Sequence, residues 1–277
     1  MQRKEAEMED VVRYAVEAGV ATITLDRPEH LNTMSRQLLD QALVALERAA
    51  EDDAVRAVIL TGSGRAFCAG GDLQEFARRE AAGDGAAREA RSVEADIRRL
   101  RGYMRTSQLL RDMPKVTFAA INGACAGAGL AWACAADIRY CAASAVFNTA
   151  FMTAGLSGDF GGTWTLGRIV GPARARELYL LAEKFRAADA ERIGLVSAVL
   201  PDGELMPFAR AKAERVAGFA PLTVRAIKAN LNDALDVSFP AMLDREADRH
   251  TRCGRTEDAA EAARAFLEKR PPVFHGR

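Results

Sequence analysis

Little in this chain favours metal or nucleophile-triad chemistry. Its 277 residues contain three histidines, His30, His250 and His275, far apart and without the spacing that zinc ligands need. Cysteine is nearly as sparse. Cys68, Cys125, Cys134, Cys141 and Cys253 form an odd set with no C-x-x-C pair, so neither a disulfide framework nor a metal cluster is implied. Most sit in Ala/Gly-rich apolar stretches and read as buried, reduced thiols. No apolar run reaches the ~18 residues of a membrane span, and the opening MQRKEAEMED has no hydrophobic signal core. The expected location is therefore cytoplasmic, with no membrane partner. Net charge is also missing: Lys+Arg and Asp+Glu both number 38, which removes any general attraction to nucleic acid. What remains is the 49% hydrophobic, 27% charged composition of a folded protein, longer than one ordinary core and short of two.

Hydrophobic periodicity divides the chain. Residues 11–17 and 20–25 flank Ala18-Gly19 as a hairpin, with Ala21, Ile23 and Leu25 on one strand face. Ser35 then stands as cap to a helix whose Leu38, Leu39, Ala42, Leu46 and Ala49 recur at three-to-four spacing. Buried strands follow at Val58–Leu60 and Val116–Ile121, with shorter ones expected at Ile138–Ala142, Ala145–Asn148 and Val196–Leu200. Strands alternating with helices indicate βα units around a largely parallel sheet. A charged helical segment, residues 86–112, is approached through Ala81-Ala82-Gly83-Asp84-Gly85, the composition of a lid or loop. Its mixture of Arg with Glu and Asp marks a solvated face rather than an RNA-binding one. Beyond Glu204 strand signals stop, and helices are expected at 204–217, 222–236, 238–251 and 256–268.

Two small-residue turns carry the chemical interest. Arg65-Ala66-Phe67-Cys68-Ala69-Gly70-Gly71-Asp72-Leu73 and Asn122-Gly123-Ala124-Cys125-Ala126-Gly127-Ala128-Gly129-Leu130 each leave a strand and enter a helix. Small side chains let a ligand approach the backbone, and the first N–H groups of a helix lack intrahelical acceptors. Two such groups converging on one point make an oxyanion hole; tight helix-on-sheet packing explains either turn alone. Nucleotide motifs fail, because Trp132 stands where G-x-G-x-x-G/A needs its last small residue and no G-x-x-x-x-G-K-[ST] occurs. A G-x-S-x-G elbow fails at Asp159.

Taken in order, Ile23-Thr24-Leu25-Asp26-Arg27-Pro28 with Leu31-Asn32, the two turns, Ala136-Asp137-Ile138, Gly161-Gly162-Thr163, Ala190 to Val196 and Ala265 to Phe274 resemble the enoyl-CoA hydratase/isomerase (crotonase) superfamily, from about residue 11 to the end. The resemblance implies an α/β fold, a crotonase-like spiral of repeated ββα units. Residues 1–200 would form the acyl-CoA-binding core, and residues 201–277 a helical oligomerisation region giving a homotrimer or dimer of trimers. It implies an acyl-CoA thioester substrate, with coenzyme A arriving as part of that substrate and no permanently bound cofactor. The enolate oxygen would be held by the backbone N–H groups of Gly71 and Ala128. The Ala69, Gly71, Asp72 and Leu73 stretch would contact the adenine, and Lys269 would reach the CoA phosphates of a neighbouring subunit. Asp72 and Asp137 read as structural.

The sequence departs from the hydratases at both acid–base positions. The glutamate three residues after the second oxyanion donor is Ala131, and the one twelve residues before the Gly-Gly-Thr threonine is Phe151. Neither can hold or deprotonate water. Asp159 remains in the neighbourhood, where isomerase branches of the family carry a base and aryl-CoA dehalogenases a nucleophile. It also precedes an expected helix over 160–170, where it would serve as an N-cap. Phe67, Phe151, Phe160 and Trp164 are candidates for an apolar acyl pocket that would raise its pKa; Glu75 and Asp84, near the expected lid, are further carboxylates that could act, Glu75 as the next candidate base. The leading reading is a double-bond isomerase with one Asp base. The alternatives are a hydratase, a CoA-thioester hydrolase, or a non-catalytic CoA- or RNA-binding relative.

Overall fold

The computed structural model describes residues 10–72 and 92–277; the expected lid, Leu73, Glu75 and Asp84 lie outside the described residues. In chain order the elements are β1 (Val12–Glu17), β2 (Val20–Leu25), α1 (Arg36–Glu51), β3 (Ala57–Gly62), β4 (Ala66–Cys68), α2 (Val93–Tyr103), α3 (Arg105–Asp112), β5 (Val116–Ile121), β6 (Ala124–Ala126), α4 (Ala128–Ala135), β7 (Ile138–Ala142), β8 (Val146–Asn148), α5 (Gly162–Val170), α6 (Pro172–Leu181), β9 (Phe185–Arg186), α7 (Ala187–Arg192), β10 (Ala198–Leu200), α8 (Leu205–Ala217), α9 (Pro221–Asp233), α10 (Phe239–Cys253) and α11 (Glu257–Glu268). Among these, no helix is long and apolar enough to cross a membrane.

Two sheets organise the core. The larger runs β1-β2-β3-β5-β7-β10 and the smaller β4-β6-β8-β9. The hairpin β1–β2 is antiparallel, and every other neighbour pair of the large sheet is parallel. β3/β4, β5/β6 and β7/β8 each place their first strand in the large sheet and their second in the small one. That is the ββα spiral expected from the resemblance.

Alternation along the strands assigns the two faces. Ile23, Leu25, Val58, Leu60, Ala119 and Ile121 join α1, α3 and α4 in one buried cluster. Val20, Ala57, Ile59, Phe118 and Ala120 face the other way, against Leu205, Ala209 and Ala213 of α8. Thus α8, the first helix after Glu204, covers the second face of the sheet. Helices α9 to α11 instead leave Ile227, Leu231, Phe239, Leu243, Phe266 and Leu267 exposed.

Local chemistry explains the ends of these elements. The Ser35 hydroxyl accepts from the Leu38 N–H at 3.2 Å, and the face of α1 carrying Leu38, Leu39, Ala42, Leu46 and Ala49 is buried. Such a cap is worth about 1 kcal/mol. The expected helix over 86–112 is seen from residue 92 onward as two helices that break at Met104. Two asparagines join the units. Asn32, fully buried, accepts from the Arg27 N–H at 2.8 Å and donates to the Ser63 and Ala66 carbonyls at 2.9 and 2.7 Å. Asn122 accepts from the Gly62 N–H at 3.1 Å and donates to the carbonyls of Gly64 and Ala66. By satisfying loop groups in this way the two amides tie the turns beyond β3 and β5 to each other.

Candidate active site

The two small-residue turns meet. The first leaves β4 with Ala69 donating to the Leu31 carbonyl at 3.1 Å, while the Gly70 carbonyl accepts from the Met34 N–H at 2.8 Å. The second leaves β6 with Gly127 donating to the Asn148 carbonyl at 2.9 Å, and Ala128 is the first residue of α4. Gly70 and Gly127 have φ of +94° and +52°, a region that side chains disfavour. They also lie back to back: a methyl on Gly70 would stand 3.0 Å from the Ala126 carbonyl oxygen and 3.6 Å from the Ala128 nitrogen. Neither the Gly71 nor the Ala128 N–H has a backbone acceptor among the described residues. The two expected oxyanion donors therefore lie on adjacent turns, with neither bonded to a backbone carbonyl of the described residues.

Asp72 is held by Arg27, whose guanidinium lies 3.1 Å away and also donates to the Thr33 carbonyl at 2.9 Å. This ties the first turn to the segment after β2. A cavity of about 370 Å³ opens beside it, lined by Glu29, His30, Leu31, Thr33, Arg65, Ala69, Gly71 and Asp72. Lys269 does not line it; it caps α11 in a left-handed conformation, with its side chain exposed. Asp137 is structural. It accepts from the Thr117 N–H and hydroxyl at 2.8 and 3.1 Å and pairs with Lys228 at 2.7 Å.

Asp159 is not a helix cap. The helix expected over 160–170 begins at Gly162, its N-cap is Gly161, and no side chain caps it; only the Asp159 backbone carbonyl takes part, accepting from the Gly162 N–H at 3.0 Å. The side chain has a buried Oδ1 with no hydrogen-bond partner among the described residues. Desolvation pushes its pKa from 3.8 to about 6. The backbone around it is bent, with positive φ at Gly158, Phe160 and Gly161. Phe160 tolerates this because its buried ring packs edge-on against Trp132 at 5.9 Å, and the Trp132 indole is itself pinned by the Thr106 hydroxyl at 2.8 Å. Core packing thus over-determines a strained turn that presents a poorly solvated carboxylate.

The four aromatics expected to line the acyl pocket separate. Phe151 lies about 4.0 Å from methyls built on Gly127 and Gly158, between the second small-residue turn and the Asp159 loop. Phe67 is fully buried core, and Phe160 serves the packing just described. Trp164 is clamped between the guanidinium groups of Arg111 and Arg168, 4.3 and 3.7 Å from its ring. It lines a separate cavity with Lys228 and Leu231.

One group at the site has no signal in the sequence pattern. Tyr179 of α6 stacks on Phe151 with ring centroids 6.0 Å apart and planes 7° from parallel. A methyl on Gly162 would lie 2.5 Å from its hydroxyl oxygen and 3.0 Å from the Ala131 methyl.

Comparison with known proteins fits this geometry. The profile of the enoyl-CoA hydratase/isomerase family matches residues 15–277. A Rhodobacter capsulatus protein named "Probable enoyl-CoA hydratase" is 42% identical over 96% of this chain and 98% of its own. The 1,2-epoxyphenylacetyl-CoA isomerase of Escherichia coli is 38% identical over 95% of this chain and 97% of its own. Among solved structures, the enoyl-CoA hydratase of Bacillus anthracis superposes with a TM-score of 0.87 at 31% identity, covering 97% of this chain and 100% of that one. The chain belongs to the enoyl-CoA hydratase/isomerase family and has the crotonase fold.

Proposed function

We propose that this acyl-CoA enzyme is a double-bond isomerase in which Asp159 is the single proton-transfer group. The observation that carries the reading is the state of Asp159: buried at Oδ1, unpartnered among the described residues, absent from the helix cap, and raised to about 6. A base with a pKa near the working pH is the efficient choice for proton transfer. The hydratase positions, Ala131 and Phe151, hold no ionisable group.

In this mechanism the thioester carbonyl accepts from the Gly71 and Ala128 N–H groups. Asp159 removes a proton from the carbon beside the thioester, the charge spreads into the enolate oxygen, and the same carboxyl returns the proton two carbons further along as the double bond shifts. A donor aimed at such an oxyanion contributes about 2.7–4 kcal/mol. The cavity beside Ala69, Gly71 and Asp72 takes the CoA moiety, and Leu73 extends that stretch. Lys269 is proposed to serve a neighbouring subunit in a trimer or hexamer, supported by the apolar residues that α9 to α11 leave exposed.

The naming of the Rhodobacter relative favours hydratase activity as the second reading. A panel of 2-enoyl-, 3-enoyl- and saturated acyl-CoA thioesters separates the two. Isomerisation is read as the appearance of conjugated absorbance from 3-enoyl substrates, hydration as its loss from 2-enoyl substrates, and enolate formation as solvent deuterium uptake. Deuterium uptake and isomerisation that both depend on Asp159 support the proposal. Rapid hydration by an Asp159→Asn protein refutes it.

A further inference from the structure

Where a hydratase would carry its glutamates, this chain has an alanine, a phenylalanine and, reaching in from α6, a phenol. The Tyr179 ring lies parallel to Phe151, which fills one vacated position, and its hydroxyl crowds the same face of Gly162 as the Ala131 methyl, which fills the other. Gly158, next to Asp159, sits against the ring edge: a methyl there would be 3.7 Å from Tyr179 Cε1 and 4.0 Å from Phe151 Cδ2. The hydroxyl has no hydrogen-bond partner among the described residues, and it is not wholly enclosed. A hydroxyl that no protein group engages and that is not wholly enclosed is free to donate to an incoming acceptor.

Burial first, then the Cys134 thiol and the Asp159 carboxylate, hold the phenol above its usual pKa. It is therefore protonated across the neutral range and able to donate. Asp159 also keeps an unpartnered Oδ1 among the described residues, so the phenol and the carboxyl are not spent on each other.

We infer that Tyr179 determines substrate specificity by donating a hydrogen bond to an acceptor oxygen at or next to the β carbon of the acyl group, selecting oxygen-bearing acyl-CoA thioesters over plain hydrocarbon ones. The inference rests on the acyl-CoA pocket proposed above. The β carbon is implicated because hydration of a 2-enoyl thioester delivers oxygen there, and the Tyr179 hydroxyl stands beside the two positions that handle that water in a hydratase. Proton transfer and oxygen recognition are then divided between Asp159 and Tyr179.

The test is calorimetric binding of 3-hydroxybutyryl-CoA and butyryl-CoA to the full-length wild-type protein, Tyr179→Phe and Asp159→Asn. The wild type should prefer the hydroxylated thioester by about 3–10-fold, the worth of one neutral hydrogen bond. Asp159→Asn should keep that ratio and Tyr179→Phe should bring it to about one. Gly162→Ala, whose methyl would stand 2.5 Å from the hydroxyl oxygen and displace it, should lower it independently and serves if Tyr179→Phe does not fold. A wild type with no preference, or a preference that survives loss of the hydroxyl, overturns the inference. So does a preference lost in Asp159→Asn, which would mean that the carboxyl reads the oxygen. Tyr179→Phe could instead leave the ratio intact and raise the acid-limb pKa of deuterium exchange; the phenol would then serve Asp159 and not the substrate. Deuterium exchange into butyryl-CoA by the Asp159→Asn protein reports on the base separately, so failure of either reading is visible without the other. Absence of binding by either thioester to any of the proteins overturns both.

Discussion

Asp159→Asn should make this protein more stable while nearly abolishing its activity. Burial raises the Asp159 pKa from 3.8 to about 6, so the folded state binds its proton more tightly than the unfolded state does. The sign follows from linkage. The favourable contribution of the protonated carboxyl is fully present below pH 3.8 and is lost as pH rises through about 6; above that, the ionised group is a standing penalty. At about 1.4 kcal/mol per pKa unit the full penalty is roughly 3 kcal/mol, and partial contact with water reduces this to roughly 1–2 kcal/mol. Asparagine carries no charge to desolvate. Its stabilisation should be near zero at pH 4, grow between pH 4 and 6.5, and level off above. For a chain of this length that corresponds to about 2–4 °C in Tm. Scanning calorimetry of both proteins, at one protein concentration so that assembly does not confound Tm, measures it. Over the same range, wild-type deuterium exchange should rise with pH along a limb centred near 6, and the variant should be slower by about 10²–10⁴-fold. A variant that is less stable at pH 7, or a gain that does not vary with pH, would refute the desolvation argument. An acid limb near pH 4 would refute the identity of the base.

Other substitutions probe the remaining parts. Ala128→Pro deletes one of the two proposed oxyanion N–H groups at the first position of a helix, where proline is tolerated, and turnover should fall by about 10²–10³-fold with far-UV circular dichroism unchanged; full activity would exclude this donor. Lys228 is buried, pairs with Asp137 and donates to the Lys115 and Leu110 carbonyls, so Lys228→Ala should destabilise the protein by about 3–5 kcal/mol in urea melts. A loss under 1 kcal/mol would show the pair to be well hydrated. Light scattering should report a trimer or hexamer, whereas a monomer at micromolar concentration would remove the basis for assigning Lys269 to a neighbouring site.

What could be read without the structure was mainly local. The hairpin around Ala18-Gly19, the Ser35-capped helix, the strand from Val116 to Ile121 and the four late helices lie close to their expected bounds, because turn chemistry and apolar period are properties of a few consecutive residues. The short strands β4, β6 and β9 and the helix α6 carry no such signal. They are two to ten residues long, and pairing with distant segments makes the strands.

The same division runs through the site. The order of the motifs, and the absence of glutamate at Ala131 and Phe151, are facts of the sequence and already pointed to an acyl-CoA enzyme without the hydratase acid–base pair. Whether Asp159 caps a helix could not be decided there, since an aspartate ahead of a helix suits capping and catalysis alike. The decision lies in Phe160 packing on Trp132, which shifts the helix start to Gly162 and strands the carboxylate in a poorly solvated place. Tyr179 was beyond reach for the same reason: it comes to Phe151 and Gly162 only because α6 folds back across the Asp159 loop. Motif identity is written in neighbouring residues; burial, and with it the pKa of a base or the partner of a hydroxyl, is set by residues far apart in the chain that only folding brings together.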